Sequence, residues 1–311
     1  MAYPVTELPE LPGVGERPLP TWPGEHVSAG AYRLFVRRTS SPAGAEPALY
    51  VHGLGGASTN WTDLMYLLAP RLAGEALDLP GFGWSDPPPD GDYRLGAHVR
   101  AVVANLEASG RGPVHLFGNS LGGAVCVRLA AARPDLVRTL TLVSPALPSL
   151  RPQRAGDSQL LLLLLPGTAG AARRRLAQVD AETRSRAVLE SCFHDVGRVP
   201  PERLAEAARE VGRREELAWT ADALLGSLRG LVAGYLRRGR GGLWDCAARI
   251  TVPTLIVWGR HDKIVSIRLA ARAQRTIRNS RLLVIEDGGH VSQLEHPQLV
   301  AGAVLEMLTA S

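Results

Sequence analysis

HLFGNSLGGAVCVRLAAARP, residues 115–134, places Ser120 inside the pattern G-x-S-x-G. An apolar run that begins at Val114 leads into the serine, and an alanine-rich helical pattern leads out of it. A sharp turn between strand and helix leaves no room for neighbouring side chains, which accounts for the glycines. Such a turn holds a hydroxyl at the carboxyl edge of a sheet, where open α/β sheets bind ligands. Taken alone, the pentapeptide is better explained by close packing of the helix on the sheet.

Short apolar runs recur along the chain, and turn signals and helical patterns follow them. These runs lack polar alternation, which is typical of strands that are buried on both faces. They are ALYVHG (48–53), EALDLPG (75–81), PVHLFG (113–118), RTLTLVSP (138–145), PTLIVWG (253–259) and RLLVIEDGG (281–289). Strands that alternate with helices predict an α/β fold with a doubly wound, mostly parallel sheet.

Residues 148–247 differ from the rest of the chain. They lack convincing strand runs and are rich in leucine, alanine and arginine, which predicts several amphipathic helices. We interpret this segment as a helical lid, inserted into a core formed by residues 1–147 and 248–311. The run Leu160–Leu165 is too short to span a bilayer. It either packs the lid on the body or, less favoured, lines an apolar pocket.

Composition excludes several classes of protein. The net charge of +5 comes from arginines that are spread along the chain, which favours solvated helix faces over a nucleic-acid surface. The three cysteines, Cys126, Cys192 and Cys246, form no CxxC pair and predict free thiols in a reducing compartment. With no signal peptide apparent, we expect a cytoplasmic protein without stable membrane insertion. No spacing indicates a metal site, a nucleotide cofactor or an oligomeric state.

A serine nucleophile needs an oriented base, and the base needs a carboxylate that holds its tautomer. In the sequence, Asp262 lies in the turn after a strand that ends at Trp258. His290 follows a Gly-Gly loop after a strand that ends at about Ile285. Both residues are expected at the same sheet edge as Ser120. Their order, serine then acid then histidine, is that of hydrolases with this architecture.

Other residues compete for these roles. Asp287 is only three residues from His290 and would struggle to reach its ring. Among the histidines, His52 lies in a glycine-rich turn, and the side chain of His261 is expected to point away from the acid beside it. His296 precedes Pro297 at a helix start, where a surface or capping role is expected.

Acyl transfer also needs N–H donors for a developing negative oxygen. The glycines of HGLGGASTNW (52–61) free the backbone, so the N–H of Leu54 can point into the site. The second predicted donor is the N–H of Leu121, at the start of the helix after the nucleophile. Alone, this stretch is equally well explained as a simple turn between strand and helix.

In combination, these motifs resemble the α/β-hydrolase superfamily, and specifically its lid-bearing serine hydrolases. The resemblance covers about residues 30–147 and 248–308, and DLPGFGWSD (78–86) matches the D-x-P-G-x-G-x-S loop of the superfamily. It implies that Ser120 is the nucleophile, His290 the base and Asp262 the residue that orients the base. Leu54 and Leu121 would supply the oxyanion hole.

Two branches of the superfamily are similar to the chain: carboxylesterases, and the carbon–carbon bond hydrolases that act on ring-fission products. The second likeness rests on GNSLGG, on Asn60–Trp61 and on GHVSQLEHP. Two positions depart from it: Leu121 stands where methionine is usual, and Val291 stands where tryptophan is usual. Serine at position 120 argues against the epoxide- and halide-processing branches, whose nucleophile is aspartate. Candidate pocket residues are Gly53, Asn60, Trp61, Asn119 and Val291.

We therefore expect a serine hydrolase that cleaves a carboxylic ester of a small to medium apolar molecule through an acyl-enzyme. The alternatives are a carbon–carbon bond hydrolase that acts on a ring-fission diketo acid, and a cofactor-free perhydrolase. A ligand-binding receptor on the same fold is the non-enzymatic alternative.

Overall fold

The computed structural model describes residues 19–149, 181–199 and 201–309, and an eight-stranded sheet lies at its centre. In chain order, the strands are β1 (Gly24–Ala29), β2 (Tyr32–Arg38), β3 (Glu46–Val51), β4 (Leu72–Leu77), β5 (Val114–Asn119), β6 (Val137–Val143), β7 (Thr254–Gly259) and β8 (Ser280–Ile285). In space, they are ordered β1-β2-β4-β3-β5-β6-β7-β8. From β4 to β8 in this order all neighbours are parallel, and β2 is antiparallel to both β1 and β4.

Helices alternate with the strands. They are α1 (Thr62–Leu68), α2 (Leu95–Ser109), α3 (Leu121–Ala132), α4 (Ala181–Cys192), α5 (Pro201–Glu216), α6 (Thr220–Leu236), α7 (Leu243–Ala248), α8 (Arg268–Thr276), α9 (Ser292–Glu295) and α10 (Pro297–Thr309). None of the helices in the described ranges is long and apolar enough to cross a membrane.

The predicted mostly parallel α/β architecture is confirmed, and strands β3 to β8 fall on the six apolar runs. Strands β1 and β2 were not predicted. They form the antiparallel edge of the sheet, where β1 is largely exposed and β2 buries only every second residue, such as Leu34 and Val36. Because these strands are not buried on both faces, they carry no continuous apolar run.

The core has two layers, one on each face of the sheet. Leu49 and Val51 of β3 pack into the larger cluster, with α2, α3, α7 and α8. Ala48 and Tyr50 alternate with them and pack into the second cluster, with α1 and α10. Because successive side chains of a strand point to opposite faces, this division explains why the central strands are apolar throughout.

The segment between β6 and β7, hereafter the insert, contains α4, α5 and α6 in its described part. Helix α6 approaches the start of α2 through Gly226, Gly230 and Gly234, which recur every four residues on one face. A Cβ on Gly230 would lie 2.6 Å from the Cα of Arg94. The boundaries 148–247 stay a prediction, and the run Leu160–Leu165 lies outside the described residues.

Helix α5 is fixed to the core by a buried ion pair. Nη2 of Arg203 donates to the carboxylate of Asp63 in α1 at 2.7 Å and to the carbonyl of Leu19 at 2.8 Å, and Nη1 donates to Glu206 at 3.0 Å. Both members of the pair are close to fully buried, so the loss of Arg203 would leave the Asp63 carboxylate without its partner. The insert is thus held against the core at both α5 and α6.

Candidate active site

Ser120 lies between the end of β5 and the start of α3, in a backbone conformation with φ 52° and ψ −115°. This conformation is strained for a residue with a Cβ. It is stabilised by neighbouring backbone groups: the N–H of Ser120 donates to the carbonyl of Val143 at 3.1 Å, and its own carbonyl accepts from Ala124 and Ala146. The nucleophile predicted from the sequence therefore lies at the carboxyl edge of the central strands.

The glycines around Ser120 are required by close contacts. A Cβ on Gly122 would lie 2.2 Å from the carbonyl oxygen of Val51, and one on Gly118 would lie 2.6 Å from that of Gly122. A Cβ on Gly53 would come within 3.1 Å of the Cβ of Ser120. The backbone of the loop after β3 therefore lies directly against the candidate nucleophile, as an oxyanion loop must.

Asp262 and His290 are brought together from different strand ends. Nδ1 of His290 lies 2.9 Å from Oδ2 of Asp262, and the other carboxylate oxygen accepts the N–H groups of Ile264 and Val265, both at 2.8 Å. An ionised carboxylate can only accept, so Nδ1 carries the proton and Nε2 is left to act as a base. Both residues are buried, with exposed fractions of 8% and 4%.

The environment of Asp262 keeps it ionised. Burial alone raises the pKa of this carboxyl group, but the His290 ring and the backbone N–H groups of Val265 and Ile264 outweigh burial and hold the pKa below its ordinary value. A carboxylate in this state can stabilise the imidazolium that forms when His290 takes up a proton.

The side chain of Asn119 connects the nucleophile turn to the histidine loop. Its amide nitrogen donates to the carbonyl of His290 at 3.2 Å and to that of Val143 at 3.1 Å. Asn119 is buried, and it immediately precedes Ser120. The residue predicted as a pocket contact therefore fixes the loop that carries the candidate base.

His52 orients the predicted oxyanion loop. One ring nitrogen, Nδ1, donates to the carbonyl of Gly53 at 2.7 Å, and Nε2 accepts the N–H of Leu79 at 3.0 Å. The Gly53 carbonyl also accepts from Gly56 at 3.0 Å. In a trans peptide the C=O and the following N–H point in opposite directions, so these two bonds turn the N–H of Leu54 away from them.

Burial lowers the pKa of His52 to about 4, so its ring is neutral at pH 7 and can hold both bonds. The second predicted donor, Leu121, begins α3, and an N–H in the first turn has no partner within its own helix. Leu121 is fully buried, whereas Leu54 is partly exposed.

The loop after β4 is held by a buried carboxylate. Asp78 accepts the N–H of Ser58 and the N–H of Trp84, the latter at 2.8 Å, and burial raises the pKa of its carboxyl group. Gly83, at φ 52°, leaves the space that this carboxylate fills. Asp78 therefore joins the D-x-P-G loop to the segment that follows the oxyanion loop.

Two predicted pocket residues have other surroundings. Trp61 is fully buried and packs against Tyr50 and Phe117 in the second core cluster, and its assignment to the pocket stays a prediction. Asn60 turns its side-chain oxygen back to the N–H of Ala57 at 3.0 Å. Both lie in the short helical turn after the oxyanion loop, where the sequence cannot distinguish an inward from an outward face.

Val291 packs against the insert. With Phe193 and Val199 it forms a small apolar cluster in which Leu294 also takes part. The residue after the candidate base therefore contacts α4 and α5 rather than the main core.

The competing acid and histidines have other partners. Asp287 pairs with Arg198 at 2.6 Å and is half exposed. His261 stacks on His194 with ring centroids 4.0 Å apart. Of the surface or capping role expected for His296, the surface position is wrong, because the residue is buried and Nε2 lies 3.1 Å from the carbonyl of Asp287. The residue does directly precede α10, and its carbonyl accepts the N–H of Val300.

Helix α5 of the insert reaches the loops around the site. The guanidinium of Arg214 donates to the carbonyl of Gly55 in the oxyanion loop. Arg213 donates to the carbonyl of Gly83 and lies over the ring of Trp84, 3.9 Å from its centroid. The insert is rich in arginine, but its sequence does not indicate which of these arginines approach the site.

Comparison with known proteins identifies the family of the chain. The family described as alpha/beta hydrolase fold matches residues 47–297. The chain is 30% identical to the dihydrolipoyllysine-residue acetyltransferase component of the acetoin cleaving system of Cupriavidus necator, over 88% of this chain and 67% of that protein.

Two further relatives are hydrolases. The chain is 26% identical to the 2-hydroxy-6-oxononadienedioate/2-hydroxy-6-oxononatrienedioate hydrolase of Cupriavidus pinatubonensis, over 91% of this chain and 93% of the relative. It is 24% identical to monoacylglycerol lipase abhd6-A of Xenopus laevis, over 91% and 81%. The chain belongs to the α/β-hydrolase fold family and is a hydrolase.

Proposed function

We propose that this hydrolase uses Ser120 to cleave a carboxylic ester of a small to medium apolar substrate through an acyl-enzyme. One observation carries the proposal: the His290 ring is hydrogen-bonded to Asp262, and Asn119 ties the loop of His290 to the strained turn of Ser120. A base held in one tautomer beside a strained serine is the arrangement that nucleophilic acyl transfer requires.

In the proposed mechanism, Nε2 of His290 takes the Ser120 proton as Oγ attacks the substrate carbonyl. The N–H groups of Leu54 and Leu121 receive the negative oxygen of the tetrahedral intermediate. His290 then protonates the leaving alcohol, and water activated by the same ring releases the acid. His52 supports the first donor, because it holds the Gly53 carbonyl in the opposite direction.

We propose that the insert acts as the lid of this site. The bond from Arg214 to Gly55 and the packing of Val291 against Phe193 support this role, since both are contacts between the insert and loops at the carboxyl edge. We further propose that the protein is cytoplasmic, because Cys126, Cys192 and Cys246 form no disulfide in the part of the chain that the structure describes, as is usual in a reducing compartment.

Carbon–carbon bond hydrolysis is the second candidate, and the relative in Cupriavidus pinatubonensis favours it. We rank it below ester hydrolysis because Leu121 and Val291 depart from the pattern that this branch usually shows. Loss of the visible absorbance of a ring-fission product, faster than turnover of p-nitrophenyl esters, would reverse the ranking. Perhydrolysis without a cofactor shares the same groups and is tested by adding peroxide to an acid substrate.

The experiment that tests the serine mechanism compares two serines. Ser120→Ala should abolish both hydrolysis of short p-nitrophenyl esters and labelling by a fluorophosphonate. Ser144→Ala is the matched control, because Ser144 is also buried, at a strand end and at positive φ. Retained hydrolysis in Ser120→Ala would overturn the proposal. A wild-type protein that is inert to both reagents but binds ester analogues would favour a receptor.

A further inference from the structure

The loop that carries His290 is in direct contact with the insert. The backbone N–H of His290 donates to the carbonyl of Cys192, the last residue of α4, at 2.7 Å. A Cβ on Gly289 would lie 2.5 Å from the nitrogen of His194 and 2.7 Å from the oxygen of Cys192. The two backbones therefore touch at the residue that precedes the candidate base.

The turn that carries Asp262 contacts the same part of the insert. Nζ of Lys263 donates to the carbonyls of Glu190 and Phe193, at 2.7 and 2.9 Å. On the other side of Asp262, the ring of His261 stacks on His194 at an angle of 13°. Residues 190–195, hereafter the insert turn, therefore contact both neighbours of Asp262 as well as the His290 loop.

Glu295 joins the two sides of this contact. One carboxylate oxygen accepts the N–H groups of His194 and Asp195 in the insert turn, at 2.7 and 3.1 Å, and the other accepts the N–H of Gly289. The residue is 7% exposed. Hydrogen bonds to an ionised acceptor are stronger than neutral ones, and leaving such donors unpaired in a buried site is costly.

We propose that Glu295 is a positioning residue, whose carboxylate sets the place of the His290 ring by fastening its loop to the insert turn. The inference rests on the proposed function of Ser120, Asp262 and His290. Physically, the His290 loop is held on one side by Asn119 from the core and on the other by Glu295 and the insert turn. Removal of the second restraint lets the ring drift, and small displacements of a base cost large factors in rate.

The test measures inactivation of Ser120 by a fluorophosphonate in wild-type protein and in Glu295→Gln. The amide keeps the size of the side chain but replaces one carboxylate oxygen with an NH2 group. That group must face backbone N–H groups and cannot accept a hydrogen bond from them. We expect the maximal inactivation rate to fall by about tenfold, with the half-saturating reagent concentration unchanged. A role confined to stability would lower the melting temperature and leave the rate of the folded protein intact.

Glu286→Gln is the matched control, because Glu286 is exposed and pairs only with Arg260 among the contacts that the structure shows for it. It should inactivate at the wild-type rate. If Glu295→Gln does not fold, Lys263→Met tests the proposal in its place. This change removes the donors to the carbonyls of Glu190 and Phe193 from an exposed side chain. It should also slow inactivation. Hydrogen exchange should rise in the insert turn and the His290 loop of each slowed variant.

The outcomes separate the two proposals. No labelling of wild-type protein overturns the proposed serine mechanism. The positioning role is overturned if folded Glu295→Gln is labelled at the wild-type rate. Where Glu295→Gln does not fold, the same conclusion follows if Lys263→Met is labelled at the wild-type rate. Either result leaves the mechanism standing.

Discussion

Asp262 divides its two carboxylate oxygens between different tasks: Oδ2 holds the His290 ring at 2.9 Å, and Oδ1 accepts two backbone N–H groups. The backbone bonds fix the rotation of the carboxylate, so the oxygen that faces the ring cannot turn away. The acid is therefore oriented by its own turn before it orients the base.

This division predicts the effect of Asp262→Asn. The asparagine oxygen will stay on the two backbone N–H groups, so its NH2 group will face Nδ1 and force the ring proton onto Nε2. A base in that tautomer cannot take the serine proton, and we expect kcat to fall by about 10⁴-fold with the fold intact. Asp287→Asn, which alters an exposed carboxylate, should keep nearly full ester hydrolysis. Comparable losses in both variants would count against the assignment of Asp262.

Buried histidines predict a loss of stability in mild acid. Burial lowers the pKa of His98 to about 4, and a histidine in an unfolded chain has a pKa of about 6.5. Between these values the unfolded chain binds a proton that the folded protein refuses, so the free energy of unfolding falls as pH decreases through this window. The contribution from His98 is up to about 3 kcal/mol, complete near pH 4.

Urea unfolding at a series of pH values measures this effect. His98→Asn should give a shallower decline between pH 6.5 and 4, because one of the groups that takes up a proton on unfolding is gone. His26→Asn, at an exposed position, is the control and should keep the wild-type slope. If the free energy of unfolding of His98→Asn declined with pH as steeply as that of the wild type, His98 would take up its proton as readily in the folded protein as in the unfolded chain.

Gly122→Ala tests the close approach between α3 and β3. Its new methyl group would meet the carbonyl oxygens of Val51 and His52, at 2.2 and 2.5 Å, and backbone atoms cannot move aside cheaply. We expect a loss of about 2–3 kcal/mol in the free energy of unfolding, and slower labelling of Ser120. Gly96→Ala, in the first turn of α2, meets nothing closer than 3.9 Å and should be neutral or stabilising. Thermal melts of the two variants measure the difference.

The strain at Ser120 predicts an unusual order of stability. Glycine adopts φ 52° without steric penalty, so Ser120→Gly should be more stable than Ser120→Ala by about 1 kcal/mol. At Ser227, within α6, alanine should be the more stable replacement, because glycine is a poor helix former. Ser227→Gly and Ser227→Ala both remove the bond to His98, so this loss does not affect the comparison. If alanine is the more stable replacement at both positions, the turn is not strained.

Much of the site could be predicted because parallel strands all end at one edge of the sheet. Ser120, Asp262 and His290 each follow their own strand, and local motifs were enough to find them. Glu295 was missed because its partners in the insert turn lie about a hundred positions away in sequence. No local periodicity encodes such a contact, and the same reason explains why the sequence could not select the arginines of α5.

Trp61 illustrates the opposite difficulty. It follows a glycine-rich loop that does reach the site, and the resemblance of Asn60–Trp61 to the carbon–carbon bond hydrolases suggested a pocket role. The structure turns its ring into the core, against Tyr50 and Phe117. The direction of a side chain in a short helical turn depends on packing partners from other strands, which the sequence of the turn does not reveal.

The glycine row on α6 bears on how the substrate range of this enzyme can change. Gly226, Gly230 and Gly234 let the helix approach the start of α2, and at Gly230 the two backbones themselves meet, a contact that no substitution of side chains can reproduce. Helix α5 is instead held by side chains such as Arg203. In a laboratory selection for new substrates, we expect accepted mutations to accumulate on α5 and to spare that face of α6.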